Sequence, residues 1–414
     1  MSHRVAALLP LTVLSLAFPL WGDVLVVDEE GAAGTFPGIK GAVFAASEGD
    51  TILVRSGTYP GFTVDGKSLT IVAEDGAEVA VLPEFSVVEH AVQVRGLGPG
   101  QHVVVRGMTL FPDVLSFPEP VLLIEDNLGT VVLEDVHTDT FESWQAVPLS
   151  VRNSQAVLFN RCTFQASICG FPCAAGEVSD SNLTVYDSEF RGGDGTTPLP
   201  FSGAGAGGAG LIVSGGTLFA AGTLFAGGDG GTTENPEQCT AAGGDGIQLT
   251  TLSPALTLRG CTLAAGQPGG GGTSDPPCGD PNGEPIHVET GTVLELPGEA
   301  RSLAVSAAVR EGESLALDFG GEPGDLVFVG FAHTIAPPLF VPVLAGELAL
   351  GFPFQVLFQG EIGASGALAT AALMPELGPG VMAVHLHLQA VHFALGGATF
   401  LGGTSSAVGL DASL

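Results

Sequence analysis

The chain has 414 residues, room for two or three domains and a large core, yet only 14% of it is charged. Asp and Glu number 44 against 12 Lys and Arg, a formal charge of −32. That balance argues against nucleic acid and anionic membranes as partners, because phosphate contacts need clustered Arg and Lys. The 62 glycines and 28 prolines mark a turn-rich chain, and helical patterning is nearly absent, so the class is all-β.

Residues 1–22 read as a secretory signal peptide: a short basic start at Arg4, an apolar run from Val5 to Leu20, and small residues near Gly22. A retained transmembrane anchor is the alternative, against which Pro10, Pro19 and the shortness of the run argue. No later stretch is long and apolar enough to span a bilayer, so no membrane span is expected after cleavage, and the localisation read is secreted, extracellular or cell-surface. Residues 23–30 read as a first strand. Over 36–47, Ile39, Val43 and Ala46 fall on one face at helical spacing, which predicts a short helix covering the open end of a stack of strands.

From there to about residue 298 one unit recurs. Its inward residues fall at a core position, three residues on, and five residues on: Val105/Met108/Leu110, Leu133/Val136/Thr138, Phe159/Cys162/Phe164, Val185/Ser188/Phe190, Ala220/Thr223/Phe225 and Leu258/Cys261/Leu263. The first positions step by 28, 26, 26, 35 and 38 residues (105, 133, 159, 185, 220, 258). A period of that size with strand patterning predicts a solenoid whose coils stack their apolar faces. A second ladder runs in phase: Val92/Val94, Leu122/Ile124, Leu149/Val151, Leu211/Val213, Ile247/Leu249 and Ile286/Val288. Long Gly-rich stretches around 191–210, 226–246 and 264–284 read as solvent-facing loops. Beyond residue 301 the period is lost, and alternating strands between Pro/Gly turns predict a separate antiparallel β-sandwich over 301–414.

The segment Gly49-Asp50-Thr51-Ile52, Val54, Gly57-Thr58-Tyr59, following a short amphipathic helix, resembles the opening of the secreted right-handed parallel β-helix proteins, the pectate-lyase-like superfamily. The resemblance covers 23–298 and implies a right-handed parallel β-helix with an N-terminal capping helix. Leu388-Gln389-Ala390 before a final Gly-rich hairpin is similar to C-terminal domains of secreted bacterial repeat proteins, which implies surface attachment or export sorting.

Six cysteines in an exported chain permit disulfides. Cys162 and Cys261 share one inward column three coils apart, roughly 14 Å at about 4.8 Å per coil, beyond the roughly 7 Å a bridge allows between Cα atoms. They are expected to be buried free thiols. Cys169 and Cys173 would close locally, and Cys239 and Cys278 would staple two successive excursions.

Enzymes of the resembled kind carry their sites on an outward strand face. Here that register position holds Asp135, Arg161 and Asp187, a candidate catalytic set in which carboxylates and an Arg act as acid and base on a sugar polymer. The alternative is an ion-pair ladder between coils. His137, Asp139, Glu189 and Arg191 flank the strip, with Trp144 as a sugar-stacking candidate. The family's Arg-x-Pro-x-x-Arg segment is missing. The phrase GGDG recurs with Asp194, Asp229 and Asp245; calcium is the only cofactor it suggests, against plain turn chemistry. His385, His387 and His392 do not share one strand face and read as half-buried sheet histidines.

Three functions stay open. The first is a non-catalytic extracellular or cell-surface protein contacting a polysaccharide or another surface component, expected as a monomer. The second is a polysaccharide lyase or glycoside hydrolase. The third is a calcium-stabilised structural repeat.

Overall fold

The computed structural model describes residues 22–83, 90–112, 119–139, 147–168, 172–196, 204–232, 241–269 and 282–414. Twenty-two strands between Val24 and Leu296 join in one curled sheet, a parallel β-helix. The predicted inward column is in register from coil to coil: Ile71, Val105, Leu133, Phe159, Val185, Ala220, Leu258. The second ladder stacks likewise as Val94, Ile124, Val151, Val178, Val213 and Leu249. The coil at Val178 stands outside the predicted ladder because Gly176 occupies the position where its neighbours carry Leu. The side chains of Leu149 and Leu211 close over that glycine. Stacked rings of Phe164, Phe190 and Phe225, with centroids 5.1 and 5.2 Å apart, fill the shaft.

The spacing of three residues between inward positions has a definite cause. In an unbroken strand, residues three apart face opposite sides. Here the residue two beyond each core position is left-handed: Gly107, Asp135, Arg161, Asp187, Gly222 and Gly260 have φ between +47° and +77°. One such residue bends the chain and returns the next side chain to the interior. Gly, Asp and Asn accept this conformation most readily. The residue after the bend then bonds back across it. Ser188 Oγ, Thr223 Oγ1, Cys162 Sγ and Cys261 Sγ each donate to the carbonyl two residues earlier. A second corner repeats the device at Gly96, Asp126, Asn153, Asp180 and Gly215.

The helix Ile39–Ala45 caps the first coil, burying Ile39, Ala42 and Val43. Lys67 Nζ donates to the carbonyls of Val43 and Ala46 at 2.9 and 2.8 Å, satisfying groups that the helix end leaves unpaired.

The Gly-rich stretches depart from expectation, for their described parts are packed rather than solvent-facing. Segments 192–196, 226–231 and 264–269 run outward and 205–210 and 241–246 return, and hydrogen bonds between them recur every third residue. Gly192 and Gly195 donate to Ala226 and Asp229, Gly227 and Gly230 to Ala264 and Gln267, and Gly207 and Gly210 to Ala242 and Asp245. Outgoing and returning segments bond at the same interval, as in Gly228 to Gly208 and Gly231 to Gly205. None of these glycines has positive φ. A three-residue period at negative φ is the left-handed extended helix of polyproline II type, in which glycine is required wherever neighbouring chains crowd the axis. A Cβ on Gly193, Gly228, Gly244 or Gly266 would overlap a neighbouring carbonyl oxygen.

The C-terminal part holds a three-stranded antiparallel sheet and a five-stranded sheet in the order Ala308–Arg310, Thr399–Leu410, Ala383–Phe393, Leu326–Ala332, Gln355–Glu361. The sandwich is not purely antiparallel, since Ala308–Arg310 pairs parallel to Thr399–Leu410. Leu303, Leu317, Phe319, Val327 and Leu388 form its core. It lies along the outward face of the coils, where Leu53 and Val72 meet Ala383, Val408 and Leu410, and Val104, Val132 and Leu158 meet Ala349.

Gly244→Ala is expected to lower stability by about 1–3 kcal/mol through overpacking. Gly41→Ala, in the capping helix where an added Cβ would make only an ordinary 3.8 Å contact with Phe36 Cδ1, should be neutral or stabilising by about 0.5–1 kcal/mol. Denaturant titration of the two variants checks this, and equal effects would count against the packed lattice.

Candidate functional site

The corner column carries Asp135, Arg161 and Asp187 on three successive coils, as the register requires. Preceding residues Arg106, Glu134 and Asn160 stand in the outward column beside them. Arg161 Nε donates to Asp135 Oδ1 at 2.8 Å, and its Nη2 donates to Asp135 Oδ2 and Glu134 Oε1, both at 2.7 Å. Arg106 Nε reaches Asp135 Oδ2 at 3.2 Å. The sequence-predicted pair Asp135 and Arg161 is therefore brought together, but as one network with Glu134 and Arg106.

This strip is not an open face. The closing strand Thr399–Leu410 and the strand Ser302–Val305 lie over it. Glu134 is fully buried and accepts from the Ser406 amide at 2.8 Å and from Ser405 Oγ. Arg106 donates to the carbonyls of Ser406 and Val305, Arg161 to that of Leu303 at 2.8 Å, and Asn160 Nδ2 to that of Thr404 at 2.6 Å. Carbonyls that would otherwise be buried unpaired thus find charged donors on the coils. Glu134 and Arg106 were missed as the central pair. Their column also holds Val72, Asn160, Tyr186, Ala221 and Arg259, so a charge there does not by itself mark a central pair.

Electrostatics sort the acids. Burial works against the Asp135 carboxylate, but the hydrogen bond and charge of Arg161, with the charge of Arg106, hold it below its ordinary value. Asp187 is different. Burial pushes it up to about 7, an effect Arg161 only partly offsets. Its Oδ2 and Asn160 Oδ1 lie against Gly403, and neither has a hydrogen-bond partner among the described residues. Where strip and sandwich part, a cleft of about 550 Å³ opens between Arg161, Thr163, Asp187, Glu189, Ser302 and Leu303.

The flanking candidates divide. His137 and Asp139 are solvent-exposed on the strand following the corner, in the columns of Thr163 and Gln165, and Glu189 pairs with Arg191. Trp144 lies outside the described residues. Asp194 Oδ1 accepts the Asp229 amide, Asp229 Oδ1 the Gln267 amide and Asp245 Oδ1 the Glu284 amide, at 2.7–2.8 Å. These carboxylates are rungs between coils rather than one converging ligand set, and among the described residues no cluster of three or more His, Cys, Asp or Glu could hold a metal.

Cys162 is a buried free thiol; Cys261 is free but only partly buried, because the outermost coil leaves that column's end thinly covered. Cys173 is not free, while Cys169, Cys239 and Cys278 lie outside the described residues.

The histidines of the sandwich also face the coils. His385 Nε2 pairs with Thr51 Oγ1 at 2.7 Å, and His387 sits 5.9 Å from His102, ring to ring, with Nδ1 3.0 Å from Ser406 Oγ. Burial, then His102 and His333, pushes His385 down to about 4; His387 falls well below 6.5 for the same reasons, with His385 adding to them. His392 sits apart, buried beside Arg301 and Asp325, and is also pushed down to about 4.

No family model and no curated protein matches the chain. Among solved structures, a superoxide reductase (neelaredoxin) from Ignicoccus hospitalis is similar over 27% of this chain and 80% of that one, at 8% identity and a TM-score of 0.18. A likeness that low carries neither fold nor activity across.

Two outcomes are expected. Arg161→Ala removes the closest charged partner of buried Glu134 and should cost about 3–5 kcal/mol, and Arg161→Lys should recover only part of this, because a single ammonium cannot reproduce the fork. Equilibrium unfolding reads both. The pH dependence has two opposing limbs. The unfolded chain takes up protons below about 6.5 that the buried rings refuse, so His385 and His392 withdraw stability as pH falls from there toward 4. Asp187, protonated in the fold up to about 7 but ionised when unfolded above 3.8, withdraws stability as pH rises between those values. Glu347, also pushed up to about 7 by burial, acts in the same sense as Asp187. Asp187→Asn should therefore reduce the slope of the limb that falls with rising pH, and His385→Gln that of the opposing limb, measured by denaturation between pH 4 and 8.

Proposed function

We propose that this protein is a secreted, non-catalytic member of the pectate-lyase-like β-helix group, acting outside the cell or at its surface by contact with a polysaccharide or another surface component. The observation that supports this reading is the burial of the Glu134–Arg106–Arg161–Asp135 network beneath the sandwich. A catalytic strip must admit a polymer, whereas these side chains are spent on backbone carbonyls of the chain itself. The acids of the GGDG phrases are likewise committed to amides of the next coil. Signal peptide, disulfides Cys169–Cys173 and Cys239–Cys278, and a surface-holding role for the sandwich all belong to this proposal.

One observation favours a second reading, a polysaccharide lyase or glycoside hydrolase. The cleft beside Arg161 reaches Asp187, whose raised pKa suits a general acid near neutrality. A polysaccharide array with product detection separates the two. Binding without product is the expected result; turnover that is lost on Asp187→Asn, with folding intact, would establish the second reading and overturn the first.

A further inference from the structure

We propose that the free edge of the sandwich, strand Gln355–Glu361, pairs with the same strand of a second copy of this chain to form a two-fold dimer. The strand closes one side of the five-stranded sheet and, among the described residues, pairs only with Leu326–Ala332. Among the described residues no strand pairs with its other side, whose backbone amides and carbonyls template the addition of another strand. Soluble proteins blunt such edges with Lys, Pro or bulges turned outward; Gln-Val-Leu-Phe-Gln-Gly-Glu has no Lys and no Pro, and its bulge at Gln359 leaves Gln355–Phe358 in regular register. Instead Val356, Leu357 and Phe358 are 48, 36 and 51% exposed. Phe358 packs on Phe328, centroids 5.1 Å apart, and Phe328 on Phe393, itself 42% exposed, so an aromatic patch continues inward from the edge.

Charge selects the occupant. The chain carries −32, yet from Leu326 to Gly360 its only ionisable side chains are His333 and Glu347, and Glu347 turns to the coils, bonded to Thr184. Two copies approaching by almost any other face set like charges within about 8 Å, the screening length at physiological salt. Meeting by this edge they avoid it. The opposite edge of the sheet is Ala308–Arg310, only three residues long, so antiparallel pairing of the long edge with itself closes the assembly at two. The sandwich's second sheet ends on the same flank with Ala367–Leu373, whose exposed side is Ala367, Ala369, Ala371 and Leu373. Apart from Glu361 at the end of the edge strand, the flank therefore carries no charge across both layers.

The test is sedimentation velocity of the full chain over a hundredfold concentration range at low and physiological salt. A dimer is expected, tightening as salt screens the residual repulsion. Val356→Lys with Phe358→Lys should shift it to monomer while leaving the melting transition in place. Should that variant fail to fold, hydrogen exchange on the unmodified chain serves instead: amides of 355–361 should gain protection as concentration rises. A monomer throughout the range, a dimer indifferent to both lysines, or a monomer that floats with phosphatidylcholine vesicles would each overturn the proposal.

Discussion

Six successive coils, from the one at Val105 to the one at Leu258, turn the corner after their core residue on a single left-handed residue, and much else depends on that requirement. It fixes the three-residue step between inward side chains, since only a reversal of handedness restores the interior direction after an odd number of residues. It restricts who can stand there. Gly107, Gly222 and Gly260 are the unstrained choice, and Asp135 and Asp187 the next. Arg161 is the exception at φ +54°, a conformation that costs a long side chain roughly 1–2 kcal/mol. Its bidentate hold on Asp135 and its bond to Glu134 offset that strain, so the least suitable corner residue is also the most heavily bonded.

The same requirement explains which features the sequence disclosed. Inward columns were legible because period and hydrophobicity are local properties, and Val105, Leu133, Phe159 and Val185 stack as their spacing dictates. The capping helix was legible for the same reason, through Ile39 and Val43. Asp135 and Asp187 were legible as a column but not in their role: an acid chosen for φ looks identical in sequence to an acid chosen for chemistry. Nor does a strand pattern disclose what will lie over it. That Glu134 would be sealed by Ser405 and Ser406 depends on the docking of a segment some 270 residues away. The Gly-rich stretches misled most. A glycine needed because a neighbour's carbonyl occupies the place of its side chain cannot be told from one needed for freedom, and Gly228 and Gly244 are of the first kind.

Buried charge between coils and sandwich acts more as an address than as a source of strength. Desolvating Glu134, Arg106 and Asp135 is expensive, and well-packed apolar residues often serve stability as well or better. What the network adds is register. The guanidinium of Arg106 and, two coils further on, the amide of Asn160 and guanidinium of Arg161 meet the carbonyls of Leu303, Val305, Thr404 and Ser406, and a sandwich slid by one residue would leave those groups unmatched. The apolar contacts at Val72 and Val408 or Val104 and Ala349 are far less selective about position.

The glycine lattice places a rule on how its excursions can change length. Bonds between neighbouring segments return every three residues, and the crowded positions return with them. Adding one residue to 226–231 would rotate the following glycines by a third of a turn, driving Asp229 toward a neighbouring backbone and turning a glycine out to water. Adding three, matched on the returning arm, restores both the bonding and the clearance. Variation in these arms is thereby quantised in triplets, much as a coiled coil accepts change by heptads, and their length becomes a coarse ruler that evolution can extend only one notch at a time.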